Sequence, residues 1–169
     1  MGVGGITRRA SAFVLDVLLL LVVLGPIGWG VQRLAHLRPE TGPEIWHALI
    51  LNFSAPVWAY FIILDSASRG GTIGKRILGL RVVVERDGGR VPVSRIALRT
   101  LLKLTPWEIV HVSVFALSED MARLTSLQVA GLAFGNILAL SYLVVAFATD
   151  GRRSIHDFAA GTAVVGAAA

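Results

Sequence analysis

One acid, Asp16, interrupts the apolar run from Ala10 to Val31. A carboxylate at membrane depth serves as a counterion, a proton carrier or a cation site, because each role offsets the cost of a charge in hydrocarbon. Three basic residues qualify as partners by position. Arg9 stands seven residues earlier on the same helix face, but ~10 Å away along the axis. Arg99 and Lys103 are four apart, hence stacked on one face of a later helix, at a depth comparable with that of Asp16. The expectation is that Asp16 pairs with Lys103 or Arg99. The competing reading is a protonated Asp16 bonded to Ser or backbone. For the pair itself, a structural lock is favoured over a transport role.

Two further clusters carry titratable chemistry. His156-Asp157 lies beside Arg152 and Arg153 and reads either as a proton or cation site or, preferably, as a helix cap with an arginine salt bridge. Glu108 and His111, three apart, form a polar pair, but two ligands do not make a metal site. No metal or cofactor is expected. Cysteine is absent, which removes disulfide and thiolate chemistry. GGTIGKR resembles a phosphate loop, yet Arg69 and Arg76 occupy positions that need Gly and Ser or Thr. No Ser–His–Asp set has a recognisable context, so a non-enzymatic role is expected.

The elements that position these residues follow from composition. The chain has 169 residues, 54% of them hydrophobic, and a mean hydropathy of +0.70, values typical of membrane proteins. Ala10 to Val31, Ile45 to Leu64 and Leu127 to Thr149 carry no formal charge besides Asp16, and each is long enough to cross ~30 Å of hydrocarbon. Asp16 costs about 2.5–3.5 kcal/mol on the insertion scale. Thirteen Leu, Val, Ile and Phe residues in the same run return roughly 0.3–0.6 kcal/mol each, so the helix inserts. Ile96 to Leu117 has the length but carries Arg99, Lys103, Glu108 and His111.

Charge distribution orients the spans. Thirteen of the 16 basic residues fall before the first span, between the second and third, within the first turns of the third, or after the fourth. Only Arg33, Arg38 and Arg123 fall in the other loops. This is the positive-inside pattern, with both termini cytoplasmic, and it points to anionic lipid rather than nucleic acid. Arg8 and Arg9 before an apolar run resemble a signal peptide, but the run continues to span length, so a retained first helix is expected.

The basic inner segment has structure of its own. GLRVVVERDGGRVPV reads as a hairpin turning at Asp87-Gly88, its second strand ending at Pro92. TIGKRILGLRVV (72–83) aligns with SIHDFAAGTAVV (154–165) at an offset of 82. Each copy reads as a capping hydroxyl, a short helix, a Gly stop and a strand. The halves, about 1–83 and 84–169, then relate as a repeat within one membrane domain, and a shared orientation makes Ile96 to Leu117 a fourth span. Gly25-Pro26, Pro56 and Pro106 mark bends in three of the helices. GLAFG (131–135) lets helices approach closely, within one chain or in a dimer.

Together RASAFVLD (9–16), GTIGKRILGLRVV (71–83) and RRSIHDFAAGTAVV (152–165) resemble the RDD family of bacterial membrane proteins, named for one Arg and two Asp. By position the resemblance makes Arg9 the family Arg, Asp16 the first Asp and Asp157 the second. Ile73 stands where the family usually has Pro. The resemblance implies a bacterial inner-membrane location, and a transport role has been suggested for the family.

The expected fold is an all-α membrane protein: four transmembrane helices with a small cytoplasmic-face element of short interfacial helices and β-strands. The first expected function is a small transporter or ion-translocating protein with a buried Asp–basic pair, which implies a homo-oligomer because four helices leave little room for a path. The alternative is a non-catalytic membrane module whose basic inner surface binds a partner protein or anionic lipid. Functional candidates are Arg9, Asp16, Arg99, Lys103, His156 and Asp157.

Overall fold

The computed structural model describes residues 3–67, 70–118 and 123–166. Arg69 of the basic segment and residues 119–122 of the second polar loop lie outside them. Helix α1 (Val3–Leu34) takes up the whole first apolar run and passes through Pro26. Helix α2 (Gly42–Leu49) starts at a capping box in which Thr41 and Glu44 bond each other's backbone amides. One π-helical turn, Ile50–Ser54, joins it to α3 (Ala55–Ser66). Pro56 follows directly, and the wider turn relieves the clash of its ring with the carbonyl four residues back. Asn52 Nδ2 donates to Ala48 O at 2.8 Å within this turn.

The short helix α4 (Ile73–Ile77) leads to β1 (Leu80–Val84). Helix α5 (Val93–His111) extends through a second π-helical turn, Val112–Ala116. Helix α6 (Ser126–Ala148) begins at a Thr125–Gln128 capping box, and α7 (Ile155–Ala160) and β2 (Thr162–Gly166) end the described chain. Gly131 and Gly135 of the GLAFG stretch face Ser113 and the Pro106 carbonyl. That small-residue face therefore packs α6 onto α5 within the chain.

Among the described residues three helical stretches, Gly5–Leu34, Gly42–Ser66 and Ser126–Ala148, are long and apolar enough to cross a membrane. The charged helix α5 falls outside that set. The surface is inverted relative to a soluble protein. Leu18, Val22 and Ile27 of α1 and Leu140, Val144 and Phe147 of α6 face outward, while Arg99, Gln128, Asp16, Asp65 and Asp157 are fully buried. In water this arrangement is untenable; in lipid it is the expected one.

The hairpin expected at 80–93 does not form. Its turn does, with Gly88 N–H donating to Val84 O at 2.9 Å, but Pro92 starts α5 instead of closing a strand. Val91 packs against Val82 and Ile96. The partner of β1 is β2, antiparallel, pairing Leu80 with Gly166, Val82 with Val164 and Val84 with Thr162. Under the offset of 82 this register maps onto itself about the Val82–Val164 pair. Equivalent bonds flank it: Val82 N–H donates to Gly70 O and Val164 N–H to Arg152 O. Both short helices end on a left-handed glycine, Gly79 at φ 59° and Gly161 at φ 62°.

Candidate functional site

Asp16 is fully buried, yet neither Lys103 nor Arg99 is its partner. Its Oδ1 accepts from the Tyr60 hydroxyl at 2.6 Å and from Gly74 N–H at 2.7 Å, and its Oδ2 accepts from Thr72 Oγ1 at 2.5 Å. The expected pair fails for a geometric reason. Helix α4 packs on α1, and its amide and hydroxyl donors, with the Tyr60 hydroxyl, fill the carboxylate. Gly74 makes this approach feasible: a Cβ there would run into the Ala12 carbonyl and stand 3.0 Å from Asp16 Oδ1.

The cations are held by two other acids. Arg99 bridges them, Nε donating to Asp157 Oδ1 at 2.7 Å and Nη1 to Asp65 Oδ2 at 3.0 Å. Arg9 completes one end, bonding Asp157 Oδ2 and the His156 ring nitrogen Nε2. Lys75 completes the other, with Nζ 2.6 Å from both oxygens of Asp65. Thr72 N–H donates to Asp65 Oδ1 at 3.2 Å, which joins this chain of charges to Asp16. Arg9, Asp157, Arg99, Asp65 and Lys75 thus tie α1, α7, α5, α3 and α4 into one unit.

Asp157 also caps its own helix, its Oδ2 accepting from Ser154 N–H at 3.0 Å, and its Oδ1 accepts from Thr162 Oγ1 at 3.1 Å. Burial pushes its carboxyl upward, but the guanidiniums of Arg99 and Arg9 overcome this and hold it well below the usual carboxylate range. Burial, together with Arg99, Arg9 and Lys103, holds His156 well below the usual imidazole range despite Asp157. Neutral His156 accepts from Arg9 at Nε2 and carries its proton on Nδ1, which is buried without a partner. Burial also lowers Lys75 to about 8, against the pull of Asp65. The salt bridge expected at Asp157 is therefore present, with Arg9 and Arg99 as its arginines.

Lys103 stands apart from this chain. Its Nζ lies 3.5 Å from the centre of the Phe61 ring and 4.4 Å from that of Phe13. The negative faces of those rings favour a positive charge there. Beyond Phe61 a small apolar void of about 20 Å³, lined by Phe13, Leu20 and Leu104, reaches Ser54 and Glu108. Those two residues also line a cavity of about 590 Å³ between α2–α3 and α5, together with Trp46, Trp58 and Ser113.

The model of the RDD family matches residues 3–161. The chain belongs to the RDD family. No curated protein and no solved structure matches it. In this RDD protein Arg9 and Asp157 bond each other, whereas Asp16 receives α4. Ile73 N–H donates to the Tyr60 hydroxyl at 3.1 Å, a bond that a Pro at this position could not make.

Sequence reasoning missed Asp65, Lys75, Tyr60 and Thr72. Asp65 sits one residue past an apolar span, where a polar residue reads as a boundary. Lys75 was absorbed into the positive-inside count. A signal existed in the aligned motifs, where Lys75 occupies the position of Asp157. A charged residue at the same place in both short helices points inward in both.

Proposed function

We propose that this RDD protein is a small ion- or solute-translocating membrane protein, seen closed towards its basic face. One observation carries the reading: Ser54 and Glu108 line both the 590 Å³ cavity and the 20 Å³ apolar void that ends on the rings beneath Lys103. A roomy, mostly apolar crevice that carries one carboxylate is thus separated from a sealed ionic network by a short apolar constriction. The cavity lies between helices of the two related halves, the place where repeat-built transporters put their sites. Both π-helical turns border it, and such turns are frequent at functional sites.

In this reading the α5 pass crosses the membrane as a fourth span, its charges turned inward and Leu98, Leu101 and Trp107 turned outward. The basic end is cytoplasmic in a bacterial inner membrane, and a homo-oligomer supplies the remaining wall of the path. The role is non-catalytic in the covalent sense. The test is flux in liposomes with an entrapped pH dye under imposed Na⁺ or K⁺ gradients. The parent should pass ions faster than empty liposomes and Glu108→Gln should abolish the excess. A parent indistinguishable from empty liposomes, or an unaffected Glu108→Gln, removes the reading.

A second reading, binding of anionic lipid or an acidic partner at the basic face, is favoured by a different observation. Arg8, Arg76, Arg81, Arg86, Arg90, Arg95 and Arg152 are exposed there, beside outward-facing Ile73, Ile77 and Phe158. Apolar anchors rimmed by arginine suit an anionic leaflet. Charge reversal at Arg81 and Arg86 should weaken retention of anionic lipid during purification. Unchanged lipid content would remove this reading.

A further inference from the structure

We propose that the 590 Å³ cavity is a binding site for a protonated organic amine: an N–H-bearing ammonium group on an apolar body that also carries a hydrogen-bond acceptor. The inference rests on the translocation reading only in naming its substrate class; the site stands on its own walls. Its volume falls in the range of small-molecule pockets. The walls combine two indoles, Trp46 and Trp58, with aliphatic Ile50, Ile109 and Val112 and a carboxylate, Glu108.

Its polar atoms are incompletely used, and that selects the ligand. Glu108 Oε1 accepts from Trp58 Nε1 at 3.3 Å. Glu108 Oε2 is buried, with the Ser54 hydroxyl beside it and His111 Nδ1 at 3.7 Å. Trp46 Nε1 is a buried donor with no acceptor among the described residues. Buried polar atoms are normally paired, so a wall with a carboxylate that faces no Lys or Arg partner among the described residues and one free donor describes the complement of its occupant. The occupant offers a cationic N–H to the Glu108 carboxylate and an acceptor to Trp46.

Other classes fit less well. An anion meets Glu108 with the wrong sign. A hard metal ion needs about six oxygens, and among the described residues no group of three His, Cys, Asp or Glu side chains is placed to hold a metal. A neutral apolar molecule leaves the carboxylate without a countercharge and the Trp46 donor unpaired. A quaternary ammonium suits the indole faces but brings no N–H for Oε2. A protonated amine satisfies the acid and the rings together.

The experiment is calorimetric titration of the full chain in lipid nanodiscs with 2-methoxyethylammonium and 2-(4-methoxyphenyl)ethylammonium, after subtraction of empty discs. Each has an uncharged alcohol counterpart, 2-methoxyethanol and 2-(4-methoxyphenyl)ethanol. Saturable binding of at least one ammonium, at least tenfold tighter than its alcohol and weakened at least tenfold by Glu108→Gln, supports the site. Thr105→Phe together with Ser113→Phe narrows the cavity from the α5 side while retaining Glu108, and should weaken binding at least tenfold; it decides the matter if Glu108→Gln does not fold. Heats equal to those of empty discs, equal affinity for ammonium and alcohol, or unchanged binding in a folded variant overturn the proposal. Amine binding without flux supports the site and removes translocation alone. Ion flux without amine binding removes the site and leaves translocation standing.

Discussion

Replacing Asp157 by Asn tests whether the ionic network, rather than Asp16, locks the bundle. Four donors converge on the carboxylate: Arg99 Nε and Thr162 Oγ1 on Oδ1, and Arg9 Nη2 and Ser154 N–H on Oδ2. An asparagine has one acceptor oxygen. Whichever way it points, two of the four donors lose their acceptor and face an NH₂ group instead. The buried cluster also gains one net positive charge. Removing one partner of a buried ion pair costs about 3–5 kcal/mol, with the lost helix cap contributing roughly 1 kcal/mol of it. At about 2–4 °C per kcal/mol for a chain of this size, the midpoint of thermal unfolding should fall by roughly 6–20 °C. The assay is loss of monodisperse elution from a sizing column after heating in mild detergent. Asp16→Asn is the control. Its three donors are uncharged, so no unpaired cation remains, and the loss should be about 1–3 kcal/mol. If Asp157→Asn melts within 2 °C of the parent, or if Asp16→Asn melts lower than Asp157→Asn, the network is not the lock.

Three further outcomes follow from the same geometry. Gly74→Ala should lift α4 off α1 and break the Gly74–Asp16 bond, because the new Cβ meets the Ala12 carbonyl; a loss of about 2–4 kcal/mol is expected in the heating assay, and a neutral effect would contradict the close approach. His156 is neutral when folded and its pKa is lowered by burial and neighbouring cations. Below pH ~6.5 the unfolded chain therefore binds a proton that the folded chain does not, and stability falls as pH falls. His156→Gln keeps an acceptor for Arg9, so its midpoint should drop less than the parent's between pH 7 and 5; equal drops would refute the assignment. Ile73→Pro gives up the bond to Tyr60 but presets the first helical turn, so stability should change by less than ~1 kcal/mol in either direction. A larger loss would show that the Ile73 amide is essential to this member.

Much of the candidate site was visible along the chain, residue by residue. Arg9, Asp157, Arg99 and His156 all belong to the network, and Asp157 caps its helix as its spacing from Ser154 requires. What failed was partner assignment. Rise per residue gives depth in a bundle, so Asp16, Arg99 and Lys103 could be placed at one level. It gives neither which way each helix face turns nor which element arrives between them. The cavity was illegible for the same reason: Trp46, Trp58 and Glu108 come from separate helices, and only their packing turns unused bonding capacity into a wall.

The sequence by itself determined the local and the compositional features: apolar runs of membrane length, the Ser154–Asp157 cap, glycine stops at Gly79 and Gly161, and RDD membership; the hydroxyl of Thr72, read as a second cap, bonds Asp16 instead. These depend on neighbours within a few residues, or on hydropathy summed over a run, and both are properties of the linear chain. Tertiary structure alone decided that β1 pairs with β2, that α4 rather than Arg99 or Lys103 satisfies Asp16, and that Arg99 joins Asp65 to Asp157. Those choices are settled by which donors lie within reach of a buried carboxylate once five elements share one volume. The partners lie 34 and 58 residues from Arg99, a separation over which local rules carry no information.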